Sequence, residues 1–165
     1  MRSSITHRRD GSAGPAGVRI RRAVARDARR LTRLVTASRS YEGPYAPMVA
    51  GYRVGPDYIE AHRVFVAVGQ DERVLGFYAL VLSPPELDLM FVGDDAQGLG
   101  IGRLLIGHLR EEARRAGLSE VRVVSHPPAE GFYRTVGAER TGTVKARPPA
   151  VMWDRPELTL PVASS

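Results

Sequence analysis

Gln97-Gly98-Leu99-Gly100-Ile101-Gly102-Arg103 follows the extended run Leu87-Asp88-Leu89-Met90-Phe91-Val92 and opens an amphipathic helix. The three alternate glycines leave backbone N–H groups without a covering Cβ. The first turn of a helix adds orphan donors and the positive end of the macrodipole. Such a loop suits an anion, most naturally a phosphate or pyrophosphate. Other phosphate-binding patterns fail at these positions. A dinucleotide fingerprint needs Gly-x-Gly-x-x-Gly/Ala, but Gly98-x-Gly100 is followed by Arg103 and Gly100-x-Gly102 by Leu105. A Gly-Lys-Ser/Thr loop needs a lysine, and the single one, Lys145, lies far away. The competing explanation is that the glycines only let a helix start close against a strand.

The Gln-x-x-Gly-x-Gly spacing resembles the acetyl-CoA loop of the GNAT superfamily of acyl-CoA N-acyltransferases. The likeness extends to both sides: a strand ending in Phe91-Val92 upstream, then a helix to Ala116, a strand over 121–124, and Ala129-Glu130-Gly131-Phe132-Tyr133-Arg134-Thr135-Val136-Gly137-Ala138. This last segment is similar to the family's Ala-x-x-Phe-Tyr-x-x-x-Gly-Phe/Ala piece. The resemblance implies an α/β (α+β) fold with a mixed, mainly antiparallel central sheet, flanked by helices and splayed at the acetyl-CoA slot. It implies acetyl-CoA as co-substrate, held by Phe91, Val92, Gln97, Gly98, Leu99, Gly100, Ile101, Gly102, Arg103, His126 and Phe132. A strand bulge of the family would aim backbone N–H groups near Phe91 and Val92 at the thioester and pantetheine. Many members carry Asn seven residues before the tyrosine, where this chain has His126.

At 165 residues with 43% hydrophobic content, the chain suits one globular domain over 18–165, preceded by a polar, aperiodic leader over 1–17. No apolar run approaches the ~20 residues of a membrane span, and the start lacks the apolar segment of a signal peptide, which points to the cytoplasm. The absence of cysteine excludes a disulfide scaffold, a thiolate metal site and an acyl-cysteine intermediate. His7, His62, His108 and His126 have no ligand-like spacing, so no metal is expected. A net charge of +6 suggests an anionic partner. Its arginines are dispersed apart from the run between Arg19 and Arg33, and a phosphate-rich co-substrate accounts for part of the charge. The alternatives are a basic nucleic-acid-associated module of the same fold and an acetylase of an aminoacyl-tRNA amine. The oligomeric state is open, a homodimer included.

Hydrophobic periodicity predicts a strand over 18–21, a helix over 27–39 with Asp27 in its first turn, and a loop over 40–54 leading to a short helix near 57–61. In that loop Tyr41, Glu42 and Tyr45 either wall an acceptor site or pack a long connection on the core. Strands follow over 64–68, 74–82 and 86–92, then the helix after the glycine loop, with His108 packed on its apolar side. Prolines 127 and 128 start a helix that stops at Gly137, and strands over 138–144 and 157–162 close the chain.

Acetylating an amine requires a neutral nucleophile and help for the departing thiolate. At pH 7 deprotonating an amine of pKa ~10.4 costs about 4.6 kcal/mol, whereas protonating a thiolate of pKa ~8.5 is downhill by about 2 kcal/mol. The base is therefore the larger requirement. Alternation puts Glu86 and Asp88 on one face of their strand. The family resemblance implies Glu86, eleven residues before Gln97, as the base, with Asp88 in reserve. It also implies Tyr133 as the residue that hydrogen-bonds the sulfur and returns its proton.

Overall fold

A computed structural model describes residues 17–163. The expected leader therefore lies outside the described residues but for Gly17. Seven strands form one sheet: β1 (Arg19–Arg22), β2 (Arg63–Val68), β3 (Val74–Leu82), β4 (Pro85–Val92), β5 (Glu120–Val124), β6 (Glu139–Val144) and β7 (Arg155–Pro161). Their spatial order is β1-β2-β3-β4-β5-β7-β6, and every neighbouring pair is antiparallel except β4 with β5. Helices α1 (Ala28–Thr36) and α2 (Pro56–Ala61) cover one face; α3 (Ile101–Arg115) and α4 (Glu130–Thr135) cover the other.

The two faces hold separate apolar cores because the strands alternate. On one side Val64, Val66, Phe77 and Ala79 meet Leu31 and Val35 of α1 and Ile59 of α2. On the other, Leu80, Leu87, Val121 and Val123 meet Leu105, Leu109 and Ala113, the i, i+4, i+8 stripe of α3. His108, on the same helix, sits as the sequence suggests: its Nδ1 lies 2.8 Å from the Tyr78 hydroxyl and its ring packs on Phe65.

Two features position the cleft. First, β4 and β5 touch through only two pairs, Glu86↔Arg122 and Leu87↔Val123, after which β4 runs on to Val92 paired with β3 alone and the sheet opens as a V. Second, β4 is bulged. Leu80 pairs with Leu87 but Ala79 pairs with Leu89, so Asp88 is the extra residue. Leu87 consequently belongs to the α3 core and Leu89 packs against the α1 core, although they are two residues apart. Past the bulge, pairing with β3 is regular from Leu89 to Val92.

Chain details differ from sequence expectation where polar contacts override periodicity. The first helix ends at Thr36, and 3-10 turns over Arg39–Tyr41 and Gly43–Met48 occupy the segment expected as loop. Asp27, the residue before α1, is fully buried: it accepts the Val24 amide at 2.8 Å, Arg21 at 2.9 and 3.0 Å, and Arg30 at 2.9 Å. Burial by itself would raise its carboxyl, but those hydrogen bonds and the two guanidinium charges win and bring it down to about 2. Arg19 and Arg21 also pair with Glu72, so part of the basic run is neutralised within the fold. No helix among the described residues is long and apolar enough to cross a membrane.

Candidate active site

The V between β4 and β5 opens into a cleft of about 530 Å³. At one end stands the glycine loop, where the three glycines have different physical reasons to be glycine. Gly98 and Gly100 have φ of +80° and +82°, a left-handed conformation that L side chains resist, and a Cβ on either would meet open space. Gly102 is already helical; a Cβ there would lie 3.0 Å from the Phe132 ring, so it is glycine because α4 packs against α3 at that point. Gly100 caps α3 with no side-chain hydrogen bond to the helix start. The first-turn donors thus face a space that no Cβ fills, the arrangement an anion requires. Gln97 ties the loop back to β4, its Nε2 donating to the Val92 carbonyl at 3.1 Å. Leu99 is exposed and Ile101 is buried in the core, so what these two offer a phosphate is backbone.

Along the β4 wall, Phe91 and Val92 line the cleft on a stretch that has lost its β5 neighbour. Asp88 lines it as well, turned out by the bulge, and accepts a hydrogen bond from the Tyr58 hydroxyl of α2. The Tyr58 phenol is pushed well above its ordinary range, by burial first and then by the hydrogen bond and charge of Asp88. Tyr52, which also lines the cleft, is raised by burial and by the same carboxylate. Glu86 is placed differently. It is not in the cleft wall; it lies 3.4 Å from Arg122 Nη1, and Arg122 also pairs with Glu157.

Opposite β4, Tyr133 projects from α4 and is 8% exposed. Burial, with a smaller contribution from Tyr41, pushes its hydroxyl above the usual phenol range, so it stays protonated and able to donate. His126, just before the prolines that start this segment, also lines the cleft; its ring stacks on Tyr41 at 3.9 Å and 16°. Tyr41 in turn leans on Phe91. Its hydroxyl is raised to about 12 by burial, against the opposing charge of Arg155.

Of the residues singled out from sequence, the cleft brings together Asp88, Tyr133, Phe91, Val92, Gln97, Gly98, Gly100, Ile101, Gly102, Arg103, His126, Phe132 and Tyr41. It leaves aside Glu86 and Leu99, and also Glu42 and Tyr45. Glu42 borders a separate shallow depression, and Tyr45 stands behind His126 with its edge on Trp153. Tyr52 and Arg155 of the wall were not named as site residues from the sequence, and neither was Tyr58, which stands behind the wall and reaches it through Asp88. The tyrosines carried a faint signal, as aromatics flanking a glycine-broken connection, and Arg155 carried none. Among the described residues no group of His, Asp and Glu is arranged to hold a metal ion.

Residues 53–147, more than half of the chain, match the family model described as the acetyltransferase (GNAT) domain. The chain is 32% identical over 81 residues to the peptidyl-lysine N-acetyltransferase YjaB of Escherichia coli K12, a match covering 48% of this chain and 51% of that protein. It spans about half the length of the curated relatives it matches. Among solved structures, a GCN5-related N-acetyltransferase from Rhodopseudomonas palustris superposes with a TM-score of 0.78 at 18% identity, over 90% of this chain and 98% of that one. The acetyl-CoA complex of yncA from Salmonella typhimurium superposes with a TM-score of 0.67 at 18% identity, over 91% and 96%. At such identities the two structures speak to the fold.

Proposed function

Because the chain belongs to the GNAT acetyltransferase family, we propose that it moves the acetyl group of acetyl-CoA directly onto a primary amine of a small molecule, peptide or protein. The observation that carries this reading is the loop with open space at Gly98 and Gly100, beside a splayed slot whose walls hold a carboxylate and a protonated phenol. The residues fit the co-substrate. Amides over 98–103 suit the pyrophosphate, and the unpaired edge of β4 at Phe91 and Val92 suits the pantetheine arm, as His126 does from the facing wall. Acetyl-CoA supplies the acetyl group as a thioester.

Asp88 is the better placed of the two carboxylates, since it lines the cleft and Tyr58 orients it, whereas Glu86 is engaged with Arg122. Its role is to take the proton of the attacking amine, directly or through water. Tyr133 donates a hydrogen bond to the sulfur and gives it a proton as the thiol departs. In the balance a C–N bond forms and a C–S bond breaks, one proton goes from amine to carboxylate, and one goes from phenol to thiolate. The chain has no cysteine to carry the acyl group, in keeping with direct transfer. A panel of amines with acetyl-CoA, followed by thiol release and by calorimetry of acetyl-CoA, tests the reading. Micromolar-range acetyl-CoA binding with amine-dependent thiol release is expected; a chain that does neither is not this enzyme.

A further inference from the structure

The far wall of the cleft holds a cation that the chemistry above does not use. Arg155 lines the cleft, and its Nε is buried with no hydrogen-bond partner among the described residues. A buried, unsatisfied donor on a charged group is costly unless something occupies it. Among the described residues no acid is paired with its Nε. The nearest acid along β7, Glu157, shares its face of the strand but is bonded to Arg122, which also holds Glu86.

The phosphates of a co-substrate are not the natural occupant either. Pro156, Leu158 and Leu160 point into the α3 side of the sheet, so Arg155 leaves β7 on the opposite, α1 and α2 side, whereas the glycine loop opens α3. Arg155 stands instead beside Tyr41, whose hydroxyl feels its charge, on the side of the sheet that carries Tyr58 and Asp88. A second buried donor without a partner among the described residues, Trp153 Nε1, lies two residues earlier, its ring edge-on to Tyr45. Trp153 lies outside the cleft lining, so Arg155 is the unfilled donor that faces the cleft, beside Tyr41 and Tyr52, and a guanidinium there calls for an acceptor with paired oxygens.

We propose that Arg155 binds a carboxylate of the acceptor, so that the preferred substrate is a small amino acid-like amine in which an amino group and a carboxylate are carried on one molecule. This rests on the acetyl-transfer reading and narrows its substrate class. The planar fork of the guanidinium holds the carboxylate in two hydrogen bonds, fixing the amine relative to Asp88.

The test sets amino acids against their own amides, which keep shape and amine but lose the negative charge, in the thiol-release assay with saturating acetyl-CoA. Lysine, phenylalanine and β-alanine, each paired with its amide, and lysine also with cadaverine, make a sufficient panel. For the preferred scaffold the acid is expected to exceed its amide in kcat/KM by at least about tenfold, a ratio equivalent to 1.4 kcal/mol. Arg155→Gln should bring that ratio close to one, chiefly through KM, and Arg155→Lys should keep part of it because the charge remains without the fork. Thermal melting and acetyl-CoA calorimetry check that both variants are folded.

Equal rates on every acid and its amide, or a preference that survives Arg155→Gln, overturns the proposal. Activity confined to peptide lysines or to polyamines such as spermine also overturns it while leaving acetyl transfer intact. Failure to bind acetyl-CoA or to release thiol with any amine removes the acetyl-transfer reading, and this proposal falls with it.

Discussion

The Tyr58 phenol donates a hydrogen bond to the Asp88 carboxylate, joining a helix to the bulge of a strand thirty residues further along the chain. The bulge turns Asp88 out of the ladder and the phenol fixes where it points, so the pair sets up a carboxylate in the cleft wall that neither element would present alone.

Asp88→Asn is therefore expected to lower kcat by about 10²- to 10⁴-fold near neutral pH and to recover partly as the medium approaches the amine pKa, where solvent takes the proton. Glu86→Gln should cost little, since Glu86 is engaged with Arg122 outside the cleft. Tyr58→Phe, which keeps the ring and removes only the orienting donor, should fall between them at about tenfold, the worth of one charge-assisted hydrogen bond. Steady-state rates of the three variants from neutral to alkaline pH decide it; a Glu86→Gln deficit larger than that of Asp88→Asn would reverse the assignment.

Tyr133→Phe should reduce kcat while leaving acetyl-CoA affinity nearly unchanged, because one hydroxyl is lost and the packing ring stays. Raising pH should not rescue it, as protons for the leaving sulfur become scarcer. Burial holds the wild-type hydroxyl protonated beyond the ordinary phenol value, so no loss of activity assignable to Tyr133 is expected below about pH 10. The pH dependence of kcat in both proteins checks this.

The glycine loop should separate strain from clash. Gly100→Ala forces a side chain into a left-handed backbone and should cost about 1–2 kcal/mol of stability. Gly100→Leu should abolish acetyl-CoA binding in a protein that still folds, because the added atoms fill the space in front of the amides. Gly102→Ala instead pushes on the Phe132 ring and should disturb α4 and with it Tyr133. Melting curves and acetyl-CoA calorimetry distinguish them; unaltered affinity in Gly100→Leu would refute the cradle.

Asp27 should govern acid stability. Its carboxyl lies at about 2 in the fold against 3.8 without it. A lowered folded value means the contribution is fully present above about pH 4 and is lost as pH falls through about 2, amounting to roughly 2 kcal/mol. Asp27→Asn should thus unfold more easily than wild type at pH 7, and the gap should close as pH approaches 2. Denaturant titrations along that pH series measure it.

Local patterns in the chain carried most of the fold. Glycine spacing after an apolar strand marked the start of α3, apolar runs bounded by turn residues marked β2, β3 and β4, and the Phe132-Tyr133 segment marked α4. These are short-range features, written in adjacent residues. The family likeness carried the order of strands and the opening beside β4, which local periodicity by itself does not specify.

Which carboxylate faces the cleft was decided only by tertiary structure. Strict alternation puts Glu86 and Asp88 in equivalent positions; the extra residue in β4 breaks that equivalence, and a bulge exists only relative to the partner strand that skips a position. Tyr41 and Arg155 reach the cleft from segments far apart in sequence, because the turn over Arg39–Tyr41 and the start of β7 both close on the gap between β4 and β5, while Tyr58 of α2 meets the cleft carboxylate Asp88. Residue spacing alone determined the glycine loop and its flanking strand and helix. The acceptor side of the cleft depends on long-range packing against a splayed sheet edge, and no spacing along the chain encodes it.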